Sequence, residues 1–177
     1  MAQNSATLKD VKLVFRNFAG EARQYNNEGD RNFAILLDPE TAAEMEKDGW
    51  NIKRKPPREE GEPEFIFLTV KVNFNGNTPP QLILITKSKG RRTTLEAKDA
   101  GILDWATLEM VDVMIRPYHW KVNGNSGVTA YLQKVYATLH EDELDLKYAQ
   151  YEEGATLPDP RHEDEPDGYR DHIDSGI

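Results

Sequence analysis

A mainly-β fold is predicted by three observations. Six short apolar segments recur along the first 140 residues, most of them alternating in the period-two manner of strands. Connections between them are short and rich in Gly, Asn and Pro, as hairpins require. Helical patterns are few and brief, and they fall between strands rather than replacing them.

The first apolar set is Leu8, Val11, Leu13, Val14, Phe15 and Phe18, an imperfect alternation that reads as a strand with a bulge. Residues 20–30 are polar with Gly and Asn and form a loop. The run Asn32-Phe33-Ala34-Ile35-Leu36-Leu37 reads as a buried strand. A helix over residues 39–48 follows. Asp38 caps it, Pro39 suits its first position, Glu40 suits the positive end of its dipole, and Gly49 suits a left-handed exit. Residues 53–63, with Lys53-Arg54-Lys55-Pro56-Pro57-Arg58, read as an exposed loop. Residues 64–74 alternate, with Phe65, Phe67, Thr69, Lys71 and Asn73 on one side. Ile66, Leu68, Val70, Val72 and Phe74 form the other, strongly apolar side.

After Pro79-Pro80 a strand returns over residues 82–86, and a basic loop, Lys87-Ser88-Lys89-Gly90-Arg91-Arg92, leads on. Thr93 to Glu96 has the spacing of a capping box and predicts a second helix to about Asp99. Residues 110–122 and 128–139 are strands separated by Asn123-Gly124-Asn125-Ser126-Gly127, a strong hairpin signal. A short helix is expected over residues 144–151. The most economical architecture is an antiparallel barrel of the OB type with short helical insertions. A β-sandwich is the main competitor.

Charge divides the chain in two. Residues 141–177 hold 13 Asp/Glu against Lys147, Arg161 and Arg170, whereas residues 1–140 hold 19 Lys/Arg and 18 Asp/Glu. The net charge of −9 thus hides a near-neutral body followed by an acidic tail. After Gly154 the chain is rich in Pro, Gly and acid, too polar to offset the entropy of ordering. The expected division is a folded domain over residues 1–153 and a disordered acidic tail over 154–177. Hydrophobic content of 38% is low for a fully folded chain, and the tail dilutes it.

The last hairpin carries the first functional signal. With a turn centred on Gly124-Asn125, Tyr118 faces Tyr131, Trp120 faces Thr129, and Arg116 faces Gln133. All six then share one side of the sheet. That side is aromatic and polar with one guanidinium, suited to bases stacking on rings while Arg meets phosphate. The competing reading packs Tyr118, Trp120 and Tyr131 against a helix or a second subunit. Two basic clusters add to the signal: Lys53, Arg54, Lys55 and Arg58, then Lys87, Lys89, Arg91 and Arg92. Solvated loops often carry Lys and Arg, but two clusters in a body of near-zero charge beside a segregated acidic tail favour a polyanion partner. Arg91 and Arg92 also precede the expected second helix, whose N-terminus favours anions.

Catalytic signals are poor. There is no Cys, which excludes disulfides, Cys-based zinc sites and a thiol nucleophile. The four His form no HExxH or H-x-x-x-H spacing, so no metal and no cofactor is expected. His140 with Asp142 and Glu143 reads as a solvated turn. Phosphate-loop and nucleophile-elbow motifs are absent. No run approaches the ~18 apolar residues of a membrane span, and residues 1–6 lack a secretory pattern. The expectation is a binding protein rather than an enzyme.

Three segments, Asn32-Phe33-Ala34-Ile35-Leu36-Leu37-Asp38, Tyr118-His119-Trp120-Lys121-Val122-Asn123-Gly124 and Ala130-Tyr131-Leu132-Gln133-Lys134-Val135-Tyr136, resemble those of bacteriophage single-stranded DNA-binding proteins. The resemblance spans residues 7–151. It implies an OB fold, sequence-tolerant binding of single-stranded DNA in phage replication, recombination and repair, and action in the cytoplasm of the bacterial host. It also implies an acidic tail that contacts replication or recombination proteins; the charge segregation adds that this tail competes with DNA for the basic surface. A homodimer is compatible with it. Many tails of this family end on an aromatic, whereas this sequence ends Asp174-Ser175-Gly176-Ile177. Alternative classes are a structural or protein-interaction module, such as a virion component, and an acidic DNA mimic. The mimic is disfavoured because most of the acidic excess lies in the tail rather than in the body.

Overall fold

The computed structural model describes residues 4–148. Nine strands join in one curled, half-barrel sheet of the expected OB type among these residues. In chain order they are β1 (Ala6–Leu8), β2 (Lys12–Asn17), β3 (Arg31–Leu36), β4 (Ile52–Lys55), β5 (Phe65–Val72), β6 (Gln81–Thr86), β7 (Arg91–Leu95), β8 (Leu108–Val122) and β9 (Asn125–Leu139). Helix α1 (Pro39–Lys47) lies between β3 and β4, and α2 (Ile102–Trp105) precedes β8. A last helix, α3 (Glu143–Tyr148), closes the described chain. The acidic tail expected over residues 154–177 lies outside the described residues, as do residues 149–151 of the expected last helix.

The main path through the sheet is β1-β8-β9-β5-β3-β2. Strand β9 is its axis: it pairs antiparallel with β8 along its whole length and parallel with β5 and β6 on its other edge. One side of the sheet is filled by alternate residues, including Phe33, Ile35, Leu68, Val70, Ile115, Leu132 and Val135, all almost wholly buried. Alternation sends their neighbours to the opposite face, which is how one strand serves both the core and a surface.

Helix α1 follows its punctuation. Asp38 accepts from the Thr41 backbone N–H at 2.7 Å and from the Thr41 hydroxyl at 2.9 Å. The amide contact, then the hydroxyl, holds the Asp38 carboxyl below its ordinary pKa. This capping contribution is present near neutral pH and is lost as pH falls through the lowered value. Gly49 takes the left-handed exit at φ 96°.

Several sequence expectations need correction. The first apolar segment is two strands, β1 and β2, and the expected bulge lies within β2 between Val14 and Asn17. Residues 53–55 are strand rather than loop. In β4, Lys53 and Lys55 pair with Phe67 and Phe65, and their charges mark a sheet edge. The capping-box reading of residues 93–96 also fails. Thr93 and Thr94 pair with Leu84 and Ile83, and Leu95 enters the core. β-branched residues opposite an apolar strand favour the ladder over a helix start. Only a 3₁₀ turn, Ala97–Asp99, remains of that helix, without a side-chain cap. Arg91 and Arg92 consequently belong to β7 and stand before no helix N-terminus.

The hairpin register is two residues away from the expected one. The turn is Asn123-Gly124, with φ of 49° and 80°, the two positive values of a type I′ turn. Tyr118 faces Thr129, Trp120 faces Gly127, and Arg116 faces Tyr131. A shift of two residues preserves parity, so Arg116, Tyr118, Trp120 and Tyr131 still share a face.

Candidate nucleic-acid interface

Four strands bring one polar row to the outer face of the sheet. Asn32 on β3 pairs with Lys71 on β5, Lys71 with Tyr131 on β9, and Tyr131 with Arg116 on β8. The adjacent row, Phe33, Val70 and Ala130, is buried on the core side. Each member of the polar row is therefore held by a neighbour anchored in the core. Such support fixes the backbone beneath a site.

Around Tyr131 the geometry suits a flat, anionic ligand. The Tyr118 ring meets the Tyr131 ring edge-on, with centroids 5.8 Å apart and planes at 81°. The Arg116 guanidinium carbon lies 6.0 Å from the Tyr131 ring centroid, and its Nη1 donates to Thr78 Oγ1. Two surface clefts meet at Tyr131 and Asn73. One reaches Thr78, Arg116 and Tyr118, and the other reaches Asn32 and Lys71. Tyr118 is 57% exposed and Trp120 37%, so neither serves as core. Trp120 lies across Gly127. A Cβ at that position would stand 2.6 Å from the indole Cζ2, so the ring takes this position only over a glycine.

The two basic clusters divide by face. Lys53 and Lys55 stand on the same side of β5 as Lys71, because Phe65, Phe67 and Lys71 alternate together. Arg54 points the other way and bonds Glu46 of α1 and Glu64. The Glu46 hydrogen bond, foremost, raises its pKa above the ordinary guanidinium value. Arg54 thus tethers β4 to α1. Arg58 is exposed in the loop after β4. Of the second cluster, Lys87 pairs with Glu109 at 3.2 Å, and Lys89 is exposed in the turn. Arg91 is exposed on β7, and the Arg92 guanidinium lies 5.4 Å from the Tyr136 ring. This cluster does not join the Tyr131 row directly. It sits where β6 and β7 flank the second half of β9.

Lys71, Asn73, Thr78, Lys134 and Tyr136 were not among the sequence-derived site residues. The first two stand on the polar side of an alternating strand, a visible signal. Lys134 and Tyr136 were hidden by the bulge between Met114 and Ile115. It lets Leu132 and Val135 both face the core, which turns Lys134 and Tyr136 outward. There the Lys134 ammonium lies 5.4 Å from the Tyr136 ring. No group of His, Cys, Asp and Glu able to hold a metal ion occurs among the described residues. No helix among them is long and apolar enough to cross a membrane.

Comparison with known proteins adds an independent line. A family model described as "Putative phage ssDNA-binding domain" matches residues 2–175. Among solved structures, the single-stranded DNA-binding protein from bacteriophage Enc34 in complex with ssDNA is similar at 12% identity. That match has a TM-score of 0.51 and covers 78% of this chain and 88% of that one. The same phage protein in another structure gives a TM-score of 0.49 at 12% identity, covering 86% of this chain and 87% of that one. At 12% identity the first of these likenesses is one of fold alone. No curated protein matches the sequence.

Proposed function

The chain belongs to the phage ssDNA-binding domain family, and from that premise we propose that it binds single-stranded DNA on the outer face of β5, β8 and β9. The observation that carries the reading is the row Asn32–Lys71–Tyr131–Arg116, with Tyr118 beside it and Trp120 further along β8. Bases stack on Tyr131, Tyr118 and Trp120, while Lys71 and Arg116 meet phosphates. The side chains offer rings and cations but no bidentate array for reading base edges, so binding tolerates sequence. Lys53, Lys55 and Arg58 extend the positive field on one side. Lys87, Lys89, Arg91 and Arg92 do so on the other. Arg54 contributes through the position of β4.

The role that follows is coating of transient single strands during phage DNA replication, recombination and repair in the bacterial host cytoplasm. The protein would need no metal or cofactor and would catalyse no reaction. A folded domain reaching about residue 153 supports an acidic tail, 154–177, that recruits replication or recombination proteins and competes with DNA for the basic face. A homodimer is compatible with this arrangement.

Titration with fluorescent dT oligomers tests the reading. Log K should fall with log salt by about 0.7 per phosphate neutralised. A duplex of equal length should bind more weakly because its bases are unavailable for stacking. A flat salt response, or equal affinity for duplex, contradicts the reading.

Deleting residues 155–177 should tighten binding at ~0.01 M salt, where the Debye length is about 30 Å, and change nothing at ~1 M, where it is about 3 Å. Equal affinity of truncated and full-length protein at low salt would leave the tail without an inhibitory role.

A further inference from the structure

A second aromatic–basic cluster lies on the same face of β5, six residues from Lys71. At the β2 bulge, Phe15 takes φ 51°, a left-handed conformation that is an outlier for a bulky residue. The ring is turned out over β5. Its centroid lies 5.8 Å from Phe65 and 5.6 Å from Phe67, both edge-on, and it remains 54% exposed. The Lys55 ammonium lies 5.4 Å from the Phe15 ring and 5.7 Å from the Phe67 ring. Lys53 stands opposite Phe67 on the same face. Neither lysine has an acidic partner within salt-bridge distance among the described residues.

Cover for Phe67 alone explains little of this. An aliphatic residue would shield Phe67 equally well, without leaving an aromatic residue 54% exposed. Unneutralised lysines beside the ring favour an anionic occupant over an apolar one. Thr69 and Lys71 continue the same face of β5 to Tyr131, without a change of side. From Phe65 to Lys71 the strand rises roughly 20 Å at about 3.3 Å per residue. That distance lies within the reach of a strand bound to one OB fold, about 4–16 nucleotides.

We infer that Phe15, with Lys53 and Lys55, forms a distal subsite for the same DNA strand: a base stacks on the Phe15 ring and the lysines hold the adjoining phosphates. The inference rests on the single-strand-binding reading of the Tyr131 patch and extends its footprint along β5. The subsite is engaged only by strands long enough to span from Tyr131 to Phe15.

Full-length protein and the variants Phe15→Leu and Phe15→Asn would be titrated with fluorescein-labelled dT4 and dT16. Leucine keeps an apolar cover over Phe67, and asparagine tolerates the left-handed backbone, so a fold defect in one variant is controlled by the other. For wild type, dT16 should bind more tightly than dT4. In both variants that affinity ratio should fall about tenfold, through loss of dT16 affinity. Wild-type dT16 affinity in both variants overturns the inference and leaves the Tyr131 site standing. Equal losses for both oligomers also overturn it, because Phe15 would then not be distal. Unchanged DNA binding with a smaller sedimentation mass would identify the cluster as a contact between copies of the chain. Failure of wild type to bind either oligomer removes the underlying reading and this inference with it.

Discussion

Alanine at Tyr131 is expected to lower affinity for a dT oligomer about ten- to hundredfold, since stacking on one aromatic ring contributes roughly 1–3 kcal/mol per base. Tyr131 occupies the centre of the polar row: it pairs with Lys71 on one side and Arg116 on the other, and its ring meets Tyr118. Its removal therefore strips the stacking surface and loosens the two cations beside it. Its side chain is on the outer face, so the melting temperature should move by no more than ~2–4 °C, the equivalent of about 1 kcal/mol for a chain this size. Tyr131→Phe keeps the ring and should retain most of the affinity. Fluorescence anisotropy and a thermal melt on the same samples check both parts. A collapsed melt with proportionate loss of binding would instead place Tyr131 in the core.

The opposite pattern is expected one residue along. Leu132 is 1% exposed and faces the core between Ala130 and Val135. Leu132→Ala removes buried methyl groups and leaves a cavity, costing about 2–5 kcal/mol and lowering the melting temperature by roughly 5–20 °C. Affinity per folded molecule should stay within about twofold of wild type at a temperature well below the melt. Adjacent residues on one strand would then separate stability from binding by side alone. A melting temperature unchanged in Leu132→Ala would contradict the assignment of the Leu132 side as core.

That separation was legible in the sequence wherever alternation was clean. Residues 68–72 alternate without interruption, and the structure places Leu68, Val70 and Val72 in the core with Lys71 outside. The hairpin face was legible despite the wrong register, because parity survives a shift of two. The pairing itself was not, because Asn123-Gly124 and Gly124-Asn125 both offer residues that tolerate positive φ. Tyr136 was lost to the β8–β9 bulge, which flips the faces partway along the strand. The bulge in β2 was anticipated, but its consequence for Phe15 was not, since sequence does not reveal which residue a bulge turns outward. Lys53 and Lys55 read as loop because their charge outweighed any strand signal. Only the tertiary position of Phe65 and Phe67 makes that segment an edge strand. Arg54 illustrates the limit of counting charges: it belongs to the same cluster yet is committed to Glu46 and Glu64.

On the reading proposed above, the outer face of β5, β8 and β9 receives the strand. Backbone amide chemical-shift mapping of the ¹⁵N-labelled protein with and without dT16 tests it most directly. The predicted result is that the largest shifts fall on residues 71, 116–120 and 127–131, with little change along α1. Largest shifts on α1 or the surface loops, with residues 116–131 unmoved in a saturated complex, would contradict it.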